Sequence, residues 1–263
     1  RIQLRRQGSV ERLEVRWDHY APPQGLPPVT LVNMVHLGDH RFFEETQQFL
    51  DGYELVFMEG VRGEHRSQIS AAYNDLATHL RMSTQSEVMK RRPHFRFHDV
   101  ESSEMSSAIF GAFVRLRRGV SMLQRQIAEQ AEDYARDYPD LGPEERQRAA
   151  ARGPIRRELA ESLSDVDYDD PDLIGGRNEM VLSAVEAELA KSGGHETIAI
   201  CYGASHATGL AARLETWGYQ LTSFEWRPVF SAYLDVREAA APSPAGEEPT
   251  SRPVTTVAGP SPE

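Results

Sequence analysis

The stretch from Val29 to Arg62 constrains this chain most. It reads as an apolar, β-branched run, a turn holding His36, a helical segment, a second apolar run and then Glu59. Thr30–Val35 has the composition of a buried strand. Asp39 stands where an N-cap belongs, ahead of a helix whose Phe42, Phe43, Phe49 and Leu50 fall largely on one face. Gly52 suits the position that stops the helix, and Tyr53–Met58 is the second strand. A strand–helix–strand unit of this length predicts a right-handed crossover between parallel strands. Such a crossover sets His36 and Glu59 at the carboxyl ends of the strands, the rim on which open α/β sheets bind ligands.

A second unit of the same kind lies near the other end. Thr197–Tyr202 is again an apolar run, followed by Gly203-Ala-Ser-His206 and a helix with Leu210, Leu214 and Trp217 at helical spacing. Gly218 then precedes another strand and Glu225 by the same seven-residue interval that separates Gly52 from Glu59. The pattern predicts a pseudo-repeat that aims two histidines at one cleft. The expected fold class is therefore α/β, a central mostly parallel sheet built from two pseudo-repeats and flanked by helices.

The rest of the chain fits around these units. Val10–His19 alternates Leu13, Val15 and Trp17 with charged residues, as an edge strand does. The helical stretch His65–Leu80 carries a stripe of Ile69, Ala72, Tyr73, Leu76 and Leu80, and Phe95 and Phe97 alternate along a strand ending at Asp99. Ser102–Phe110 restarts a helix. Residues 112–163 are charged and helical with breaks at Pro139, Gly142-Pro143 and Gly153-Pro154, a helical insertion beside the sheet or over the cleft that also suits an oligomer contact. Asp165–Asp172 lacks the glycine and closing glutamate of a calcium loop. A helix over Asn178–Lys191, with Met180, Val181, Ala184, Val185 and Leu189 inward, leads into the second unit. Residues 238–263 are Ala, Pro, Ser, Glu and Gly without periodicity, a tail disordered by composition, so the expectation is one domain over 1–237.

Charge and cysteine content narrow the function. The chain carries a net −11, and about −8 of it belongs to residues 1–237. That argues against nucleic acid as a main partner and leaves open whether the substrate is a peptide or a small molecule. Cys201 is the only cysteine, so neither an internal disulfide nor a cysteine-rich zinc site is available. No apolar run is long enough to span a bilayer. A soluble, cytoplasmic protein is the expectation from these residues, with a signal or anchor upstream left open.

His36, Glu59 and His206 carry the candidate chemistry. Two imidazoles and a carboxylate hold a divalent metal while leaving positions open for water, which metal-assisted hydrolysis needs. Asp99 or a second glutamate then accepts the proton of that water. Two histidines that only start helices and satisfy backbone groups fit the spacing too. Arg62 and Arg177 suit the capture of a carboxylate or an anionic intermediate, or an ion pair to Glu59 or Asp99.

The stretch Leu31–Arg62, with VNMVH and ELVFMEGVR, resembles the TraB/Tiki superfamily, also called the GumN-like or PrgY-like group. Gln85 in STQSE, Asp99 and Glu104 in HDVESSEM, Arg177 and Asn178 in GGRNEM, and His206 in CYGASHATGLAARL follow in the family's order. The resemblance implies an erythromycin esterase/ChaN-like fold of two pseudo-repeats. It also implies a metal-dependent peptidase favouring manganese or cobalt, with His36, Glu59 and His206 in the Gly-x-x-His and glutamate positions. The first motif departs from the family in having Asn33 where the pattern has glycine. Related esterases work without metal and ChaN-like relatives bind haem, for which Tyr202 is the candidate axial ligand here. One fold thus carries three activities.

Overall fold

The computed structural model describes residues 1–60, 66–99, 136–153, 174–191 and 194–234, with single positions between 125 and 133. Arg62, Glu104, the Ser102–Phe110 stretch, the loop 165–172, most of the 112–163 insertion and the tail 238–263 lie outside the described residues.

The fold is α/β. Strands β1 (Ile2–Gln7), β2 (Val10–Ala21), β3 (Val29–Met34), β5 (Leu55–Met58), β7 (Phe95–Phe97), β8 (Ile198–Gly203) and β9 (Gln220–Tyr233) form one sheet. Its order is β1-β2-β3-β8-β5-β7, with β9 also against β2. β3, β8, β5 and β7 pair in parallel. β2 alone runs against the others, pairing antiparallel with β1, β3 and β9. Two further short strands, β4 (Leu37–Gly38) and β6 (Ser83–Thr84), pair separately.

Alternation along the central strands packs both faces, as covered parallel sheets require. Val32, Met34, Val56 and Met58 point to one face, where they meet Phe42, Phe43 and Leu50 of helix α1 (His40–Leu50). Leu31, Leu55, Phe57 and Ile200 point to the other. There they meet Val181, Leu182 and Val185 of α5 (Gly176–Leu189) and Leu210 and Leu214 of α6 (Ala207–Thr216). Helix α2 (Arg66–Leu80) buries Leu76, Ala77 and Leu80 beside Leu37, and the short α3 (Gln85–Val88) is capped by the Thr84 hydroxyl.

The structure corrects several expectations. β2 is an interior strand, because β9 pairs with it along its whole length while β1 and β3 share its other side. β8 inserts between β3 and β5, so the first crossover joins strands that are not neighbours. β9 leaves the parallel core altogether. Glu225 therefore lies within β9 opposite Trp17, with β2, β3 and β8 between it and β5, and contacts His19 and Arg227. Met180 is 38% exposed, since the inward face of α5 is set by Asn178, Val181, Leu182 and Val185. Gly218 ends α6 with a left-handed φ of 87°, but Gly52 follows α1 without one, so only the second helix stop requires glycine.

Asp39 occupies the N-cap position of α1 but makes no capping hydrogen bond. A stronger partner competes for it. Its carboxylate lies 2.7 Å from the buried guanidinium of Arg152, at the end of helix α4 (Pro143–Arg152). Arg152 also donates to the carbonyls of Leu80, Arg81 and Ser231, at 3.1, 2.5 and 3.3 Å. One side chain thus ties the described end of the helical insertion to α1, α2 and β9. Losing it strands three carbonyls away from a donor. Arg152→Met is expected to lower unfolding free energy by about 3 kcal/mol in urea titrations, against about 1 kcal/mol for the half-exposed Asp39→Asn.

Candidate functional site

The carboxyl ends of β3, β8, β5 and β7 make one rim. Register sets its depth: Met58 lies beside Cys201, and Cys201 beside Val32, so His36, Glu59 and Gly203 emerge together. The Glu59 N–H continues the ladder to the Cys201 carbonyl at 3.0 Å. The Gly60 N–H donates to Asp99 at 3.1 Å, which places the acid following β7 against the turn following β5. The first turn of α5 then lays Arg177 and Asn178 over the rim.

Arg177 is the centre of this cluster. Its Nε and Nη2 each donate to Asp99 at 2.8 Å, and Nη2 also reaches Glu59 Oε1 at 2.5 Å. Of the two roles open to Arg177 in the sequence, the ion pair is the one formed, and with both acids. Glu59 Oε2 accepts the Gly203 N–H at 2.6 Å. A Cβ on Gly203 would sit 3.0 Å from that same oxygen, so glycine is needed there for the close approach of a carboxylate and not for its backbone angles. At the equivalent end of β3, Asn33 is buried and its amide donates to the Arg16 carbonyl on β2. The departure from the glycine motif thus has a local physical reason.

Both histidines are held in the same way. Asn178 Oδ1 lies 2.7 Å from His206 Nδ1, and Gln85 Oε1 lies 3.3 Å from His36 Nδ1. An amide oxygen only accepts, so in each ring Nδ1 is the donor, which in the neutral imidazole leaves the lone pair on Nε2. The β4–β6 pairing and a Gln85 N–H bond to the His36 carbonyl at 3.2 Å bring Gln85 to its histidine. His206 is 1% exposed, and its Nε2 stands 3.7 Å from Glu59 Oε1. His36 is half-buried, with its ring 4.9 Å from that of Tyr73 on α2.

Electrostatics follow from burial and this pairing. Burial pushes the Glu59 carboxyl up, but Arg177 first, then His206, His36 and the Gly203 N–H, bring it well below the ordinary carboxylate range. Burial pushes Arg177 down and its two acids more than reverse that. His206 is lowered, chiefly by burial and with Arg177 adding to it, while Glu59 opposes. The neutral imidazole and the ionised Glu59 therefore face each other as two acceptors. Burial first, then the nearby acids, raise Tyr202. Tyr202 is buried and its hydroxyl donates to the His98 carbonyl, which occupies the group that a haem iron would need.

The structure thus gathers Glu59, Asp99, Arg177 and His206 into one network and sets His36 on the same rim. Residue patterns alone gave no role to Gln85, Asn178 or the Gly203 N–H, though the family resemblance names Gln85 and Asn178 without a role. The signal for Asn178 was its place next to Arg177 on a helix start, and for Gln85 a Thr-x-x-Glu cap at residues 84–87. The donor types suit a divalent cation. Among the described residues, however, no three His, Cys, Asp or Glu side chains form a ready metal-holding group, and the Glu59 oxygen facing His206 is the one Arg177 holds. No helix among the described residues is long and apolar enough to cross a membrane. No family model matches the chain, and neither a curated protein nor a solved structure matches it.

The shifts fix a pH dependence. Glu59, with its folded pKa lowered, contributes stability fully present above its unfolded value of about 4.3 and lost as pH falls below that. His206 is also lowered, so its contribution is present above about 6.5 and is lost as pH falls from there. Unfolding free energy is expected to drop from pH 7 downward, first through His206 and then through Glu59. In His206→Gln, urea midpoints measured across the series should lose the upper part of that decline and keep the lower.

Proposed function

We propose that this chain is a TraB/Tiki-like hydrolase, a metal-dependent peptidase whose water-activating groups are His36, Glu59 and His206. The observation that carries the reading is the matched support of the two histidines. Each has Nδ1 held by a side-chain amide oxygen, Gln85 for His36 and Asn178 for His206, and so offers Nε2 to a ligand. Such outer partners are the usual accompaniment of imidazoles that bind metal or take protons.

The two Nε2 atoms and the Glu59 carboxylate are the groups that would hold a divalent ion, with manganese or cobalt the first to try. When bound, the ion supplies Lewis-acid polarisation of a carbonyl and acidifies water. The remaining work belongs to the chain. His206 stays neutral in its buried setting and so keeps its Nε2 lone pair for the ion, while Asp99 or a further glutamate takes the proton of the activated water. Glu59 remains ionised and would balance the charge of the ion. Arg177 keeps Glu59 charged and orients both Glu59 and Asp99. Asn178 prevents the ring from turning, so the lone pair stays aimed at the rim.

A second reading within hydrolases follows from the Arg177–Glu59 contact, because a guanidinium already supplies the positive charge a metal would bring there. In that case His206 alone activates water. Elemental analysis of wild type, His36→Ala and His206→Ala separates the two, alongside peptide and ester hydrolysis with Mn²⁺, with Co²⁺ and with chelator. Metal-dependent peptide cleavage is expected, with kcat falling about 10²- to 10⁴-fold and metal content lost in both variants. Hydrolysis unchanged by chelator selects the metal-free reading. Activity and metal content untouched by both substitutions would falsify the site.

A further inference from the structure

The outer edge of β9 is treated differently along its two halves. From Val229 onward it is blunted: the Asp39 N–H donates to the Val229 carbonyl at 2.9 Å, and Arg152 donates to that of Ser231. Helices α1 and α4 stand against this half. The first half, Gln220–Pro228, has no strand on its outer side among the described residues. Its first five residues are exposed, and it holds Leu221 at 41% and Phe224 at 40% exposure, two of the three exposed large hydrophobics among the described residues. Edge strands are ordinarily protected by charge, proline or a covering element. Here Pro228 closes only one end of the open run.

We propose that this edge pairs antiparallel with the same edge of a second copy, about a two-fold axis through Phe224, to join two sheets into one. Three observations select a second copy as the occupant. A register centred on Phe224 uses all nine residues of Gln220–Pro228 and stops on each side where α1 and Arg152 take over the edge. In that register no charge meets its like: Glu225 faces Ser223 and Arg227 faces Leu221 of the other copy, while Phe224 meets Phe224. The run contains one acid and one arginine, so it is locally neutral on a chain of net −11, whose copies repel elsewhere. A two-fold contact of identical edges is also self-closing, which ends the assembly at a dimer. The expected contact is thus on β9, not on the helical insertion.

Sedimentation velocity over a concentration series tests this with the whole chain. Wild type is expected to dimerise. Phe224→Lys and Phe224→Glu, which set like charges across the axis, are each expected to be monomeric, and an equimolar mixture of the two to restore the dimer. Leu221→Lys, which faces Arg227 of the second copy, gives an independent loss should either Phe224 variant lose its native circular dichroism. A wild type that stays monomeric throughout, a dimer that persists in Phe224→Lys or Leu221→Lys, or folded Lys and Glu variants that remain monomeric when mixed would each overturn the proposal.

Discussion

One guanidinium holds the carboxyl rim of the parallel strands together. Arg177 lies against Glu59 and Asp99, two carboxylates that are almost wholly shielded from water. Without it, the rim would bring together two buried negative charges, an arrangement that normally neutralises itself by taking up a proton. With it, Glu59 stays ionised beside an imidazole that burial keeps neutral. The pairing also links the ends of β5 and β7 to the first turn of α5, so the same contact that sets the charge state sets the geometry.

Much of this could be read from residues in order. The apolar runs of β3, β5 and β8 and the histidines and acids that follow them were legible because buried parallel strands leave a strong local signature. Sequence order also placed Glu59, Asp99 and Arg177 at chain positions where elements start or stop. Which of them touch was not legible, since that depends on strand order. β8 entering between β3 and β5 puts Gly203 on Glu59, and nothing local in either segment announces it. The same blindness made β2 look like an edge, since its alternation with charged residues does not show that β9 covers it, and made Glu225 look like the counterpart of Glu59, since that reading assumed β9 would follow the first unit's path.

Competition between partners explains the smaller misreadings. Asp39 has the sequence of a cap and the backbone of one, but a buried arginine from a distant helix outbids the local N–H groups. Gly203 and Asn33 occupy similar places in the two units, yet Gly203 makes room for the Glu59 carboxylate while Asn33 donates its side chain to the Arg16 carbonyl. Motif positions that look interchangeable in sequence can therefore answer to different constraints.

The insertion of β8 has a consequence for how the molecule is made. β3 and β5 are synthesised early and never pair with each other. The strand that fills the space between them arrives roughly 140 residues later along the chain, as the Gly203–Glu59 separation of 144 shows. Until then two inward edges stand open, and closing them requires long-loop contacts that bring no reward before they form. The parallel core and the rim are thus closed by one late strand. A chain interrupted before Gly203 holds Asp99 and Arg177 but lacks both that strand and the N–H that cradles Glu59 Oε2, so the rim is not built up piecemeal from its N-terminal part.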